Sequence, residues 1–109
     1  MNNKEKTVAF INWNLKETYD SLKNNNEKLY SFITRAIDDL KDNPFCGRNV
    51  KKKLIPKTLI KKHNSDNLWI YNLPSSWRLL YTIIGDEVKI VSVILDWMNH
   101  KDYERLFNF

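Results

Sequence analysis

The chain is poor in the residues that staple, bend or loosen a backbone. Its 109 residues include one cysteine, two glycines and three prolines. A single cysteine, Cys46, excludes any disulfide within the chain and points to a reducing compartment. So little glycine and proline excludes collagen-like and low-complexity architectures. No apolar run approaches the ~20 residues of a membrane span. The opening MNNKEKTVAF lacks the apolar core of a signal peptide. The expectation is therefore a soluble, cytoplasmic protein. A Gly-rich phosphate loop, a CxxC and a His pair at metal spacing are all missing, so neither a cofactor nor a metal is expected. Acid is missing from one place in particular: nothing from Arg48 to His63 carries a negative charge.

What is present fits one globular domain spanning residues 1–109. Hydrophobic residues make up 42% and charged residues 28%, an ordinary folded composition. A domain of this size buries roughly two thirds of its unfolded surface, enough for one core. The net charge of +5 permits a nucleic-acid partner without demanding one.

Leu68 to Arg105 organises the rest. Two apolar runs, Leu68 to Leu73 and Trp77 to Ile84, flank Pro74-Ser75-Ser76. A third, Val88 to Leu95, follows Gly85-Asp86. All are rich in β-branched and aromatic residues. The connections are too short for a crossover helix, so the runs form an antiparallel meander. Thr7 to Ile11 reads as a first strand. Leu15, Tyr19 and Leu22 then mark a helix that starts at Asn12 or Asn14, with Asn14 as its candidate cap and Asn24-Asn25-Asn26 at its end. A second helix from about Glu27 to Lys41 carries Leu29, Ile33, Ala36, Ile37 and Leu40 on one stripe, capped by Asn26 and stopped at Asn43-Pro44. The expected fold is α+β: a helical hairpin packed on a small antiparallel sheet, order β-α-α-β-β-β, with a short C-terminal helix. Leu29, Ile33, Ile37 and Leu40 should be buried against the meander.

Three groups of residues stand out from this core. Arg48, Lys51, Lys52, Lys53, Lys57, Lys61 and Lys62 form a run of cations, while Asp38, Asp39 and Asp42 cluster in the second helix. A solvated loop accounts for such a run, and so does an edge that tracks phosphates. Pro56 could open a short helix within it. Arg78 sits inside a strand, either as an ion-pair partner or as a clamp for phosphate charge. His100 and Tyr103 follow the last strand. They could be an ordinary helix start capped by Asn99, or a general acid–base pair with Asp96 orienting the imidazole. His63 reads as a surface residue, and Cys46 and the tryptophans as packing.

Taken together, the short first strand, the hairpin, the basic connection, WRLLYTI and HKDYER resemble the RelE/ParE superfamily of toxins from type II toxin–antitoxin pairs, over nearly the whole chain. The resemblance implies one of two activities. RelE-like members cleave mRNA in the ribosomal A site, without metal, by attack of the ribose 2′-OH on the adjacent phosphate. ParE-like members inhibit a protein target, DNA gyrase; a relative that only engages an antitoxin is the other non-enzymatic outcome. In the RelE reading, Arg78 stabilises the phosphate and His100 or Tyr103 moves protons or stacks on a base. Lys51, Lys52, Lys53, Lys57, Lys61 and Lys62 hold RNA. The partners implied are the ribosome with its mRNA and an acidic antitoxin, partly disordered alone. The chain departs from the pattern at Leu68 to Leu73, which carries no lysine. Lys51 to Lys53 or His100 must fill that gap, or the protein binds without cutting.

Overall fold

The computed structural model describes residues 4–64 and 66–108. The fold is α+β, in the order β1 (Glu5–Phe10), α1 (Trp13–Asn25), α2 (Glu27–Asp42), β2 (Arg48–Asn49), α3 (Lys57–His63), β3 (Trp69–Asn72), β4 (Arg78–Gly85), β5 (Lys89–Met98) and α4 (His100–Phe107). The five strands lie side by side as β1-β5-β4-β3-β2.

The asparagines set the helix boundaries. Asn12, Asn26 and Asn99 each accept an N–H from the first turn of the helix that follows, and so satisfy a donor the helix leaves open. Asn26 also closes α1, its own N–H donating to the Leu22 carbonyl, and the cap of α1 is Asn12 instead of the expected Asn14, which lies inside the helix. The meander β3-β4-β5 is antiparallel, as its short connections require.

The expectation of an antiparallel sheet is corrected at its edge. β1 runs parallel to β5, with Thr7 opposite Val91 and Phe10 opposite Ile94. The whole α1–β4 segment lies between β1 and β5 in sequence, so nothing forces the chain to reverse there. The sheet is mixed. The expected order also lacked a short strand, β2, between the hairpin and the meander; the short helix expected there at Pro56 is α3, with Pro56 as its N-cap. A two-residue strand carries no readable alternation.

Both faces of the sheet are covered. On one, Tyr19, Leu29, Ile33, Ala36 and Leu40 of the hairpin pack on Leu79, Tyr81 and Ile94. Ile37 belongs to this cluster only partly buried, because it lies at the margin of the stripe, so its expected full burial is corrected. On the other face, Leu59 of α3 and Tyr103 of α4 close over Ile70, Leu80, Val93 and Leu95, with Val50 and Ile55.

A β-bulge tunes that second face. Tyr81 pairs with Ile94 and Leu80 with Asp96, so β5 has one residue more than β4 at this point. Without the extra residue, strict alternation would turn Asp96 and Met98 to the hairpin side. With it, Trp97 packs toward the hairpin and Met98 toward α3 and α4.

Candidate nucleic-acid interface

Arg78 opens β4 directly opposite Met98, the last residue of β5. Asn99 then caps α4, so the helix starts two residues beyond that pair and carries Tyr103 back over the sheet. The Arg78 guanidinium carbon lies 5.4 Å from the centre of the Tyr103 ring, within cation–π range. The same side chain donates from Nη1 to the Trp77 carbonyl at 3.2 Å.

A second arginine reaches the same phenol. Arg48 Nη2 donates to Tyr103 Oη at 2.8 Å. Its position depends on Tyr81, whose hydroxyl donates to the Pro44 carbonyl at 2.7 Å and accepts the Gly47 N–H at 3.1 Å. Burial pushes that phenol up to about 12, so it stays a neutral donor. Gly47 is required by this close approach: a Cβ there would stand 2.5 Å from Tyr81 Oη and 2.9 Å from the Ile70 carbonyl. The clamp ties the basic segment to the sheet one residue before Arg48.

Neither arginine forms an ion pair with a carboxylate among the described residues. Two guanidinium groups therefore converge on one buried ring, which is 5% exposed, with their charge unneutralised. Like charges are held together at a Coulombic cost, and a bound anion offsets it.

The ring of Tyr103 is enclosed. Phe107 packs at 4.8 Å between centroids and His100 lies at 6.4 Å. With Arg78 against it as well, the ring has no free face for a base. Its contribution is to position the arginines. His100 is exposed, with Nε2 3.1 Å from the Glu104 carboxylate. Asp96 does not orient it: Asp96 Oδ1 instead accepts the Trp97 N–H at 2.8 Å, because the bulge directs the carboxylate toward α3.

The lysines extend the cationic surface. Lys51, Lys52, Lys53, Lys57, Lys61 and Lys62 are all exposed, and none pairs with a described acid. Lys53 and Lys57 line a shallow depression of about 430 Å³ together with Phe107, the residue packed on Tyr103. The acids of α2 sit across the sheet. Asp39 of α2 takes a very short hydrogen bond from Tyr71 and a bond from Arg35, and the Tyr71 contact holds its carboxyl below the usual range.

Other expectations were corrected. Cys46 is exposed. Trp13, at the start of α1, is 70% exposed, whereas Trp69, Trp77 and Trp97 pack on the hairpin core. His63 is half-buried, and its Nε2 is buried without a hydrogen-bond partner. Among the described residues, no group of three or more His, Cys, Asp or Glu could hold a metal ion. Arg48 was the residue whose role sequence reasoning missed. It looked like the first of seven cations, and the only signal separating it from the lysines was its spacing to the buried Val50 on the same side of the chain.

No protein-family model, curated protein or solved structure matches the chain.

Proposed function

We propose that the protein is a metal-independent endoribonuclease of the RelE-like toxin class, which cuts mRNA on the ribosome and is restrained by an acidic antitoxin. One observation carries the reading: two arginines with no acidic partner among the described residues meet on Tyr103, and the basic segment that supplies Arg48 also carries the six exposed lysines. Planar guanidinium forks suit the oxygens of a phosphodiester, and exposed lysines suit its backbone.

In this scheme the ribose 2′-OH loses its proton and its oxygen attacks the adjacent phosphorus. The bond to the 5′-oxygen breaks, and that oxygen takes up a proton. The products are a 2′,3′-cyclic phosphate and a free 5′-hydroxyl. Arg78 and Arg48 stabilise charge that grows on the non-bridging oxygens, where fixed donors contribute most. Tyr103 holds both forks in place. His100 is the exposed imidazole placed to transfer protons. The lysines missing from β3 are replaced by Lys51 to Lys53 beside the same face.

The test uses programmed ribosomes and full-length protein. Wild type should cut mRNA, with or without EDTA. Arg78→Ala should slow cutting by ~10²–10³-fold at a smaller loss of binding. His100→Gln should slow it by ~10²-fold or more if it transfers a proton. If wild type binds ribosomes without cutting, or if both variants cut at the wild-type rate, the enzymatic reading fails and the arginine cluster serves binding alone.

A further inference from the structure

One constellation on the α3/α4 face is left unused by the arginine cluster. A groove of about 680 Å³ runs between the two helices, lined by Leu59, Lys62, Asp96, Trp97, Met98 and Leu106 among others. Its walls are mainly apolar, which suits a flat ring. Met98, which lines the groove, is the strand partner of Arg78.

Asp96 is the unusual member. The bulge at Leu95 turns it into this layer. Its Oδ1 accepts the Trp97 N–H, while Oδ2 takes no hydrogen bond from any described residue. No Lys, Arg or His nitrogen of a described residue lies within 4 Å of it. Burial pushes its carboxyl above the usual range, against the opposing pull of the Trp97 N–H and of Lys62 and His63 farther off. A half-buried carboxylate without a cation partner costs stability, and such groups persist chiefly where a ligand uses them.

An ionised carboxylate only accepts hydrogen bonds. The matching ligand must present donors, preferably two side by side. Among the RNA bases only guanine does so, with N1–H beside the 2-amino group. Adenine and cytosine place one amino group next to a ring acceptor, and uracil sets one N–H between two carbonyls. Each of those would turn a lone pair toward the second carboxylate oxygen. Guanine also carries O6 next to N1–H, and Lys62 lines the same groove. Single-stranded RNA is commonly read on this Watson–Crick edge by bases splayed out of the stack.

From this arrangement we infer that the groove is a guanine-selective base subsite, with Asp96 accepting N1–H and the 2-amino group and Lys62 facing O6. The inference rests on the RNA reading of the arginine cluster and names the base that sits next to the phosphate held there. It sets a sequence preference at one position of the substrate.

The experiment titrates 15N-labelled full-length protein with GMP, IMP, AMP, CMP and UMP, following the Trp97 backbone amide and indole signals. GMP should bind at least about ten-fold more tightly than AMP, CMP or UMP, the scale of a hydrogen bond to a charged group. IMP, which lacks the 2-amino group, should fall between. Asp96→Asn keeps the shape and should abolish the preference. Lys62→Ala should weaken GMP while leaving some preference. Equal binding of the five nucleotides, a preference that survives in Asp96→Asn, or shifts that map away from Trp97 and Leu59 would overturn the subsite. The outcome is separable from the nuclease reading. RNA cut without guanine preference removes the subsite alone. Guanine preference in a protein that does not cut removes the nuclease alone.

Discussion

On one face of the sheet, two long helices lay Leu29, Ile33, Ala36 and Leu40 against Leu79, Tyr81 and Ile94, with the ion pairs Lys16–Asp20 and Arg35–Asp39 on their outer surface. On the other, α3 and α4 span seven and eight residues, and among the described residues the layer holds two arginines and a carboxylate outside any ion pair and an orphaned imidazole nitrogen. Isolated helices of such length are marginal in water, so α3 and α4 depend on what they bury. The hairpin face has one task, to close a core. The second face closes a smaller core and keeps polar groups that a core alone would not retain. The same sheet thus carries its stability mainly on one side and its chemistry on the other.

That division can be broken most severely from the hairpin side. Ile33 is fully buried in the cluster, and Ile33→Ala should cost ~2–5 kcal/mol in denaturant unfolding through lost transfer energy and a residual cavity. Ile37→Ala should cost less, since Ile37 is only partly buried. At temperatures where the Ile33→Ala protein remains folded, its RNA binding and cutting should match wild type. A variant that stays folded yet loses RNA binding would show that the two faces are not independent.

Arg78→Ala is the reverse experiment. It removes a half-exposed side chain that joins no core cluster. Cutting should fall by ~10²–10³-fold, while the unfolding midpoint moves by far less than in Ile33→Ala. A large loss of stability would make Arg78 a structural residue held by Tyr103, and the division of labour would lose its best example.

The meander, the hairpin and the capping asparagines were legible in the sequence because local rules decide them. Periodicity gave Leu29, Ile33 and Leu40, and side-chain chemistry gave Asn26 and Asn99. The meeting of Arg78 with Tyr103 was also legible, since antiparallel pairing sets the start of β4 beside the end of β5. Three things were not. The parallel docking of β1 on β5 is a non-local choice with no local signal. Arg48 reaches Tyr103 across 55 positions through a strand of two residues, below any readable period. The direction of Asp96 hangs on a single bulge residue, and a one-residue change of phase exchanges the two faces.

A smaller effect is expected from the lysines. Replacing Lys51, Lys52 and Lys53 together with glutamine should leave unfolding unchanged, because all three are exposed. RNA affinity should fall with little dependence on sequence, and the slope of log affinity against log salt should flatten by roughly one unit per lost phosphate contact at most. An unchanged slope would mean that this stretch faces solvent in the complex and that the working surface ends at the arginines.

The smallest expected effect is the most specific to the comparison. If the second face keeps Asp96 at a cost to folding, removing its charge should stabilise the protein. The folded carboxyl is held above its unfolded value by burial. Such a group favours the fold only where it is protonated: its contribution is fully present below the unfolded carboxyl range and is lost as pH rises through the folded value. Above the folded value the wild type has lost it, whereas asparagine is neutral throughout and can still accept the Trp97 N–H. Asp96→Asn should therefore raise the melting temperature at pH 7, by about a few degrees at most for a group still partly hydrated. The gain should shrink as pH falls into the acid range, where the wild-type carboxyl is also neutral. Thermal unfolding of both proteins across pH 3–8 measures this directly. If Asp96→Asn melts at or below the wild-type temperature at pH 7, the carboxylate is supporting the fold. The second face would then be a weaker core and not a site kept at the expense of stability.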